Sequence, residues 1–183
     1  MTDTTIVAGN VQAPAVRSAF TWSTVIAGAL AAWAVAFIFI SLGSGIGFAI
    51  TSPYSGPSAA TMSIGGAIWL IFSETCAYAV GGYIAARLRI RDHIPGPETK
   101  FRDAAHGFMA WVIGVGILTA VVLFAAVLGT HTPTTGAAAA VVDADAARKA
   151  ASFVAFWSFM ALLFGAVAAT LAGMLGGELR DEL

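Results

Sequence analysis

Four apolar stretches, at about residues 25–50, 62–86, 108–128 and 153–175, fill most of a 183-residue chain and leave it few ways to fold. Each holds the roughly 20 apolar residues that one crossing of a hydrocarbon core requires. Inside lipid every backbone amide and carbonyl must be bonded within the protein, so only helices and closed barrels cross. A barrel needs short strands of alternating polarity, whereas these runs are continuous and rich in Ala, Leu and Gly. The chain is therefore expected to be all-α: a polytopic integral membrane protein with a four-transmembrane-helix bundle at residues 22–177 and short tails at 1–21 and 178–183. With 58% hydrophobic and 10% charged residues, it has too little polar surface for a soluble domain.

The first tail has Asp3 as its only charge before Arg17, and the apolar run after it is long enough to stay as an anchor. This pattern predicts a retained first helix in place of a cleaved leader. Basic residues close to span ends stay on the cytoplasmic side. Of the nine Lys and Arg, Arg87, Arg89, Arg91, Lys100 and Arg102 crowd the connection between the second and third spans. An even number of crossings puts Arg17 and Arg180 on that same side. Only Arg148 and Lys149 lie opposite, offset by Asp143 and Asp145, so both termini are expected in the cytoplasm. Trp22, Trp111 and Trp157 lie nearer span ends than centres, and Trp69 lies towards the outer end of its span; the interfacial layer favours indole. Trp33 lies deeper.

The outer connections hold no domain. TSPYSGPSAAT is a short, uncharged turn region, and THTPTTGAAAAVVDADAARKAA is longer, with room for a short helix and with Asp143 or Asp145 placed to cap the fourth span.

Glu74 is the one acidic residue inside a span. A carboxylate at bilayer depth is costly unless it faces the bundle interior, lines water or is neutral. Arg87 on the same helix is 13 positions away, about 20 Å at ~1.5 Å per residue. Polar neighbours must serve instead: Tyr78 one turn along the same face, and Thr119 at a similar depth on the third span. An intramembrane cluster of Glu74, Tyr78 and Thr119 follows. It serves either as a proton or cation relay or as a neutral acid hydrogen-bonding between helices. Cys76, the only cysteine, is expected to be a small packing residue.

Small residues four apart let helices approach closely in lipid. They recur at Gly28, Ala32 and Ala36, then Gly43 and Gly47, on the first span, and at Ala77, Gly81 and Ala85 on the second. The fourth carries the longest ridge, Gly165, Ala169, Gly173 and Gly177. This glycine-zipper-like ridge is expected to pack within the bundle, with self-association or docking on a larger complex as the alternative. The dense run Gly43, Ser44, Gly45, Ile46, Gly47 predicts a loose helix end.

At the basic side, Arg87, Arg89 and Arg91 stand just beyond the second span, placed for anionic lipid head groups at about 1 kcal/mol each. Membrane lipids are the expected partner there and nucleic acid is not, because the loop is short and lies at the membrane. Pro95, Gly96 and Pro97 break the chain, and the third helix is expected to restart near Phe101. Asp103 and His106 share a helix face. They are read as a dipole or capping residue and an interfacial side chain, with no metal site, since no metal motif accompanies them.

The segments WSTVIAGALAAWAVAFIFISLGSGIGFA from Trp22, FRDAAHGFMAW from Phe101 and LAGMLGGELRD near the end resemble a group of small four-span bacterial membrane proteins, some labelled PhnA-like. The resemblance covers most of the chain. It implies four spans and the bacterial inner membrane, and brings no activity, cofactor or catalytic residue with it. The chain also lacks a nucleophile–base pair, a phosphate loop or a cofactor fingerprint. A non-enzymatic structural or accessory component, as a homo-oligomer or part of a larger membrane complex, is thus the first expectation. A small channel or transporter working through Glu74 is the second.

Overall fold

A computed structural model describes residues 20–50, 59–90, 96–131 and 144–182. These form four helices and, among the described residues, no strand: α1 (Trp22–Ile50), α2 (Ala59–Arg87), α3 (Gly96–His131) and α4 (Ala144–Asp181). Each contains a stretch long and apolar enough to cross a membrane. The four-helix membrane bundle is what the apolar run lengths dictate.

The helices outrun the apolar segments. α3 begins at Gly96, five residues before the expected restart at Phe101. Pro97 is tolerated there because a first-turn residue needs no amide hydrogen, and Glu98 supports that turn through an ion pair with Arg102 at 2.8 Å. α4 begins at Ala144, so the end of the Ala-rich outer segment belongs to this helix. Asp145 sits in its first turn and pairs with Arg148 and Lys149, both at 2.6 Å; those two bonds hold its carboxyl below the usual carboxylate range. The glycine-dense run at the end of α1 stays helical to Ile50. The N-terminal tail with Arg17, the first outer turn at 51–58, and Arg91, His93, Pro95 and Asp143 lie outside the described residues.

α2 is the hub. It packs most extensively on α4 and α1; α3 also touches all three other helices, while among the described residues α1 and α4 do not meet. Paired contacts give the directions: Gly28 meets Ala85 and Gly43 meets Trp69, so α1 and α2 are antiparallel; Tyr78 meets Gly165 and Tyr83 meets Gly176, so α2 and α4 are parallel; Gly107 meets Ala169 and Asp103 meets Gly177, so α3 and α4 are antiparallel.

Close packing is concentrated in the half of the bundle that holds the start of α1 and the end of α4. The buried residues of α1 are Thr24, Val25, Gly28, Ala29 and Ala32, all in its first half. There the backbones nearly touch. A Cβ on Gly28 would overlap the Gly81 carbonyl, and one on either Gly82 or Gly107 would overlap that of Ala169. Lipid supplies no hydrophobic drive between helices, so this close van der Waals contact is the main cohesion available. The α4 ridge is spent in the same way: Gly165 makes room for the rings of Tyr78 and Trp111, while Ala169, Gly173 and Gly177 receive α2 and α3.

The other half opens. Residues 118–125 of α3 are exposed on every face, and most of α1 beyond Ala36 is exposed as well. Two tryptophans tie α1 across: Trp33 Nε1 donates to the Gly114 carbonyl at 3.3 Å and Trp69 Nε1 to that of Phe39 at 3.0 Å. Trp69 thus clasps two helices, whereas its sequence position towards the outer end of its span had pointed to the interfacial layer.

Candidate functional site

Two polar places stand out in this apolar bundle, and the first was not read from the sequence as a unit. After Arg87 the α2 helix ends in a turn, with Leu88 N bonding Ile84 O at 3.1 Å and Arg89 N bonding Ala86 O at 3.2 Å. That turn swings Arg89 inward beneath the start of α3. Its Nε donates to Asp103 Oδ1 at 2.8 Å, and both side chains are only 2% exposed. From α4, Arg180 closes on the same carboxylate with two prongs, Nη1 to Oδ1 at 3.1 Å and Nη2 to Oδ2 at 3.2 Å, and Nη1 also reaches the Ala86 carbonyl at 3.0 Å. Gly177 is what admits the carboxylate, because a Cβ there would overlap it.

One carboxylate between two guanidiniums links the end of α2 to α3 and α4. A buried charge survives only when paired and hydrogen-bonded, and two-pronged guanidinium bonding is the strongest arrangement available. His106 brings in α1. Its Nε2 accepts the backbone amide of Thr21 at 3.1 Å and its Nδ1 donates to the Arg102 carbonyl at 2.7 Å. Those two bonds require the neutral ring with hydrogen on Nδ1. Phe20 stacks on it at 4.5 Å.

This arrangement changes three sequence expectations. Asp103 is the buried centre of an ion cluster and caps no helix. His106 is 1% exposed and joins α1 to α3, where an interfacial side chain had been expected. Arg89 is held inward by Asp103, so of the three arginines assigned to lipid head groups it is turned away from them; Arg87 is half-buried and Arg91 lies outside the described residues.

The second place is Glu74. With Trp69, Ser73, Gly65, Gly47 and Ile40 it lines a groove of about 530 Å³ between the open halves of α1 and α2. Tyr78 lies one turn further along α2. The phenol ring is nearly buried, wedged over Gly114 and Gly165. Thr119 does not join them. It is exposed, and its hydroxyl bonds the Val115 carbonyl of its own helix at 2.9 Å. Equal depth was the basis for grouping it with Glu74, but α3 is exposed on every face at that level. Among the described residues none donates a hydrogen bond to Glu74, and no three His, Cys, Asp or Glu side chains gather as metal ligands. Cys76 is a half-buried free thiol.

A signal for the ion cluster was present in the sequence. FRDAAHGFMAW supplies Asp103, His106 and Gly107, while LAGMLGGELRD supplies Gly173, Gly177 and Arg180, and these two segments lie against one another. No protein-family model matches the chain, and no curated protein or solved structure shows significant similarity to it.

Proposed function

We propose that the protein is a non-enzymatic component of the bacterial inner membrane that works by assembly, joining a larger membrane complex or copies of itself through the open half of its bundle. The observation that carries this is α3 at residues 118–125, two turns of apolar helix exposed on every face. Leu118, Val121, Val122, Leu123 and Phe124 all stand there exposed among the described residues. A membrane helix gains cohesion by van der Waals contact with other helices, and this segment has that contact to offer. The ridge on α4 is not the docking surface in this reading, because α2 and α3 already occupy it. Both termini lie in the cytoplasm, an orientation supported by the basic residues gathered at their end of the bundle.

The test is the native mass of tagged protein taken from its host membrane into lipid nanodiscs, with every co-purifying chain identified. A fixed stoichiometry above one chain is expected, and Leu123→Arg on α3 should dissolve it. A lone chain in the wild type contradicts the proposal.

A second reading, a small channel or transporter using Glu74 as an intramembrane proton or cation site, is favoured by the groove that this residue lines without a hydrogen-bond donor. It predicts a pH-dependent flux that Glu74→Gln abolishes while assembly stays intact.

A further inference from the structure

The groove between α1 and α2 has a composition that selects its occupant. It runs from Ile50 and Gly65 at the far end to Ala36 and Glu74 near mid-bundle. Its walls are apolar, and their polar atoms are largely satisfied: Ser73 Oγ donates to the Trp69 carbonyl at 2.7 Å, and Trp69 Nε1 is bonded to Phe39. Ser44 adds one hydroxyl towards the far end. Glu74 is the only ionisable group among the described residues that line the groove, and it offers oxygen acceptors to whatever enters.

We propose that this groove binds a lipophilic cation, an amine or quaternary onium on an apolar or aromatic frame, with the Glu74 carboxylate as its counter-ion. The inference rests on the second reading above and names the ligand class of that site. A carboxylate at this depth is costly alone, and a bound cation removes that cost by pairing. The carboxylate repels an anion, and a sugar finds the Ser44 hydroxyl as the one donor not already bonded to the backbone among the described lining residues. Trp69 stands on the same wall, and indole is the best aromatic partner for a cation. The volume, about 530 Å³, falls within the roughly 300–1,000 Å³ of small-molecule sites. A partner helix fits less well, because the small-residue face of α1 is interrupted where the Trp69 indole lies across Gly43.

The experiment is equilibrium binding of tetraphenylphosphonium to the full-length protein in nanodiscs of zwitterionic lipid, with neutral triphenylphosphine oxide as competitor. Saturable binding near one ligand per chain is expected, with no competition from the oxide. Glu74→Gln should weaken binding at least about tenfold, the loss of one desolvated charge pair. Glu74→Asp should restore part of it. Gly65→Leu keeps the test independent of Glu74 and of folding: a Cβ at Gly65 meets nothing within 4 Å, so the larger side chain fills the groove and should abolish binding without lowering thermal stability. Unchanged binding in Glu74→Gln or in Gly65→Leu overturns the proposal, as does equal competition by the oxide. Cross-linking of a partner helix to Gly65→Cys in native membranes overturns it too. If binding fails while a Glu74-dependent proton flux persists, the ligand class is wrong and the relay stands; if both are absent, both fall.

Discussion

Asp103 is the residue on which the closed half of the bundle depends. Removing one partner of a buried ion cluster strands the remaining charges, so Asp103→Ala should cost about 3–5 kcal/mol in reversible unfolding in mixed micelles. Lys100→Ala provides the contrast. Its pair with Glu178, at 2.6 Å, is exposed on both sides, and screened surface pairs contribute little, so the same assay should register almost no change. Gly177→Ala tests the carboxylate's seat and should destabilise by about 1–3 kcal/mol, the usual range for overpacking. An unaltered unfolding midpoint in Asp103→Ala contradicts the cluster. None of this was legible from spacing. Arg89, Asp103 and Arg180 are far apart in the chain, and Arg89 turns inward only because α2 ends two residues before it. Alternation of arginines beyond a span says nothing about which of them folds back.

At the scale of the helix, run length decided what could be foreseen. Span count and helical form follow from apolar length alone, a one-dimensional property, and all four were readable. Helix ends were less so, since the polar turns at Glu98 and Asp145 extend α3 and α4 past their apolar cores. Depth also proved insufficient for contact. Thr119 sits level with Glu74 by residue count, yet it belongs to a stretch of α3 that is exposed on every face. The small-residue pattern was legible as packing, though only the structure separates its two kinds of glycine. Gly82 lies against the Ala169 backbone, while Gly45 and Gly65 face open space. Substitution by Ala should therefore lower stability by about 1–3 kcal/mol at Gly82, and at Gly45 leave it level or raise it slightly through better helix propensity. Thermal unfolding of the two variants side by side checks this, and equal losses would contradict the division.

The whole molecule combines a locked end with an open one. Glycine contacts and the Arg89–Asp103–Arg180 cluster fix the half that holds the start of α1 and the end of α4, and the other half presents α3 and the Glu74 groove to its surroundings. Accessibility of tags on either terminus tests the orientation: labelling only after the membrane is opened is expected, and labelling of intact cells contradicts it. The division itself is tested most directly by footprinting with a carbene-generating acyl chain, read by peptide mass spectrometry in nanodiscs and in native membranes. The account predicts that residues 118–125 of α3 are labelled on every face in nanodiscs holding the lone chain and on only part of their circumference in native membranes, where a partner covers the rest. Labelling confined to one face already in the lone chain would contradict the open half, and labelling on every face in the native membrane would contradict its role in assembly.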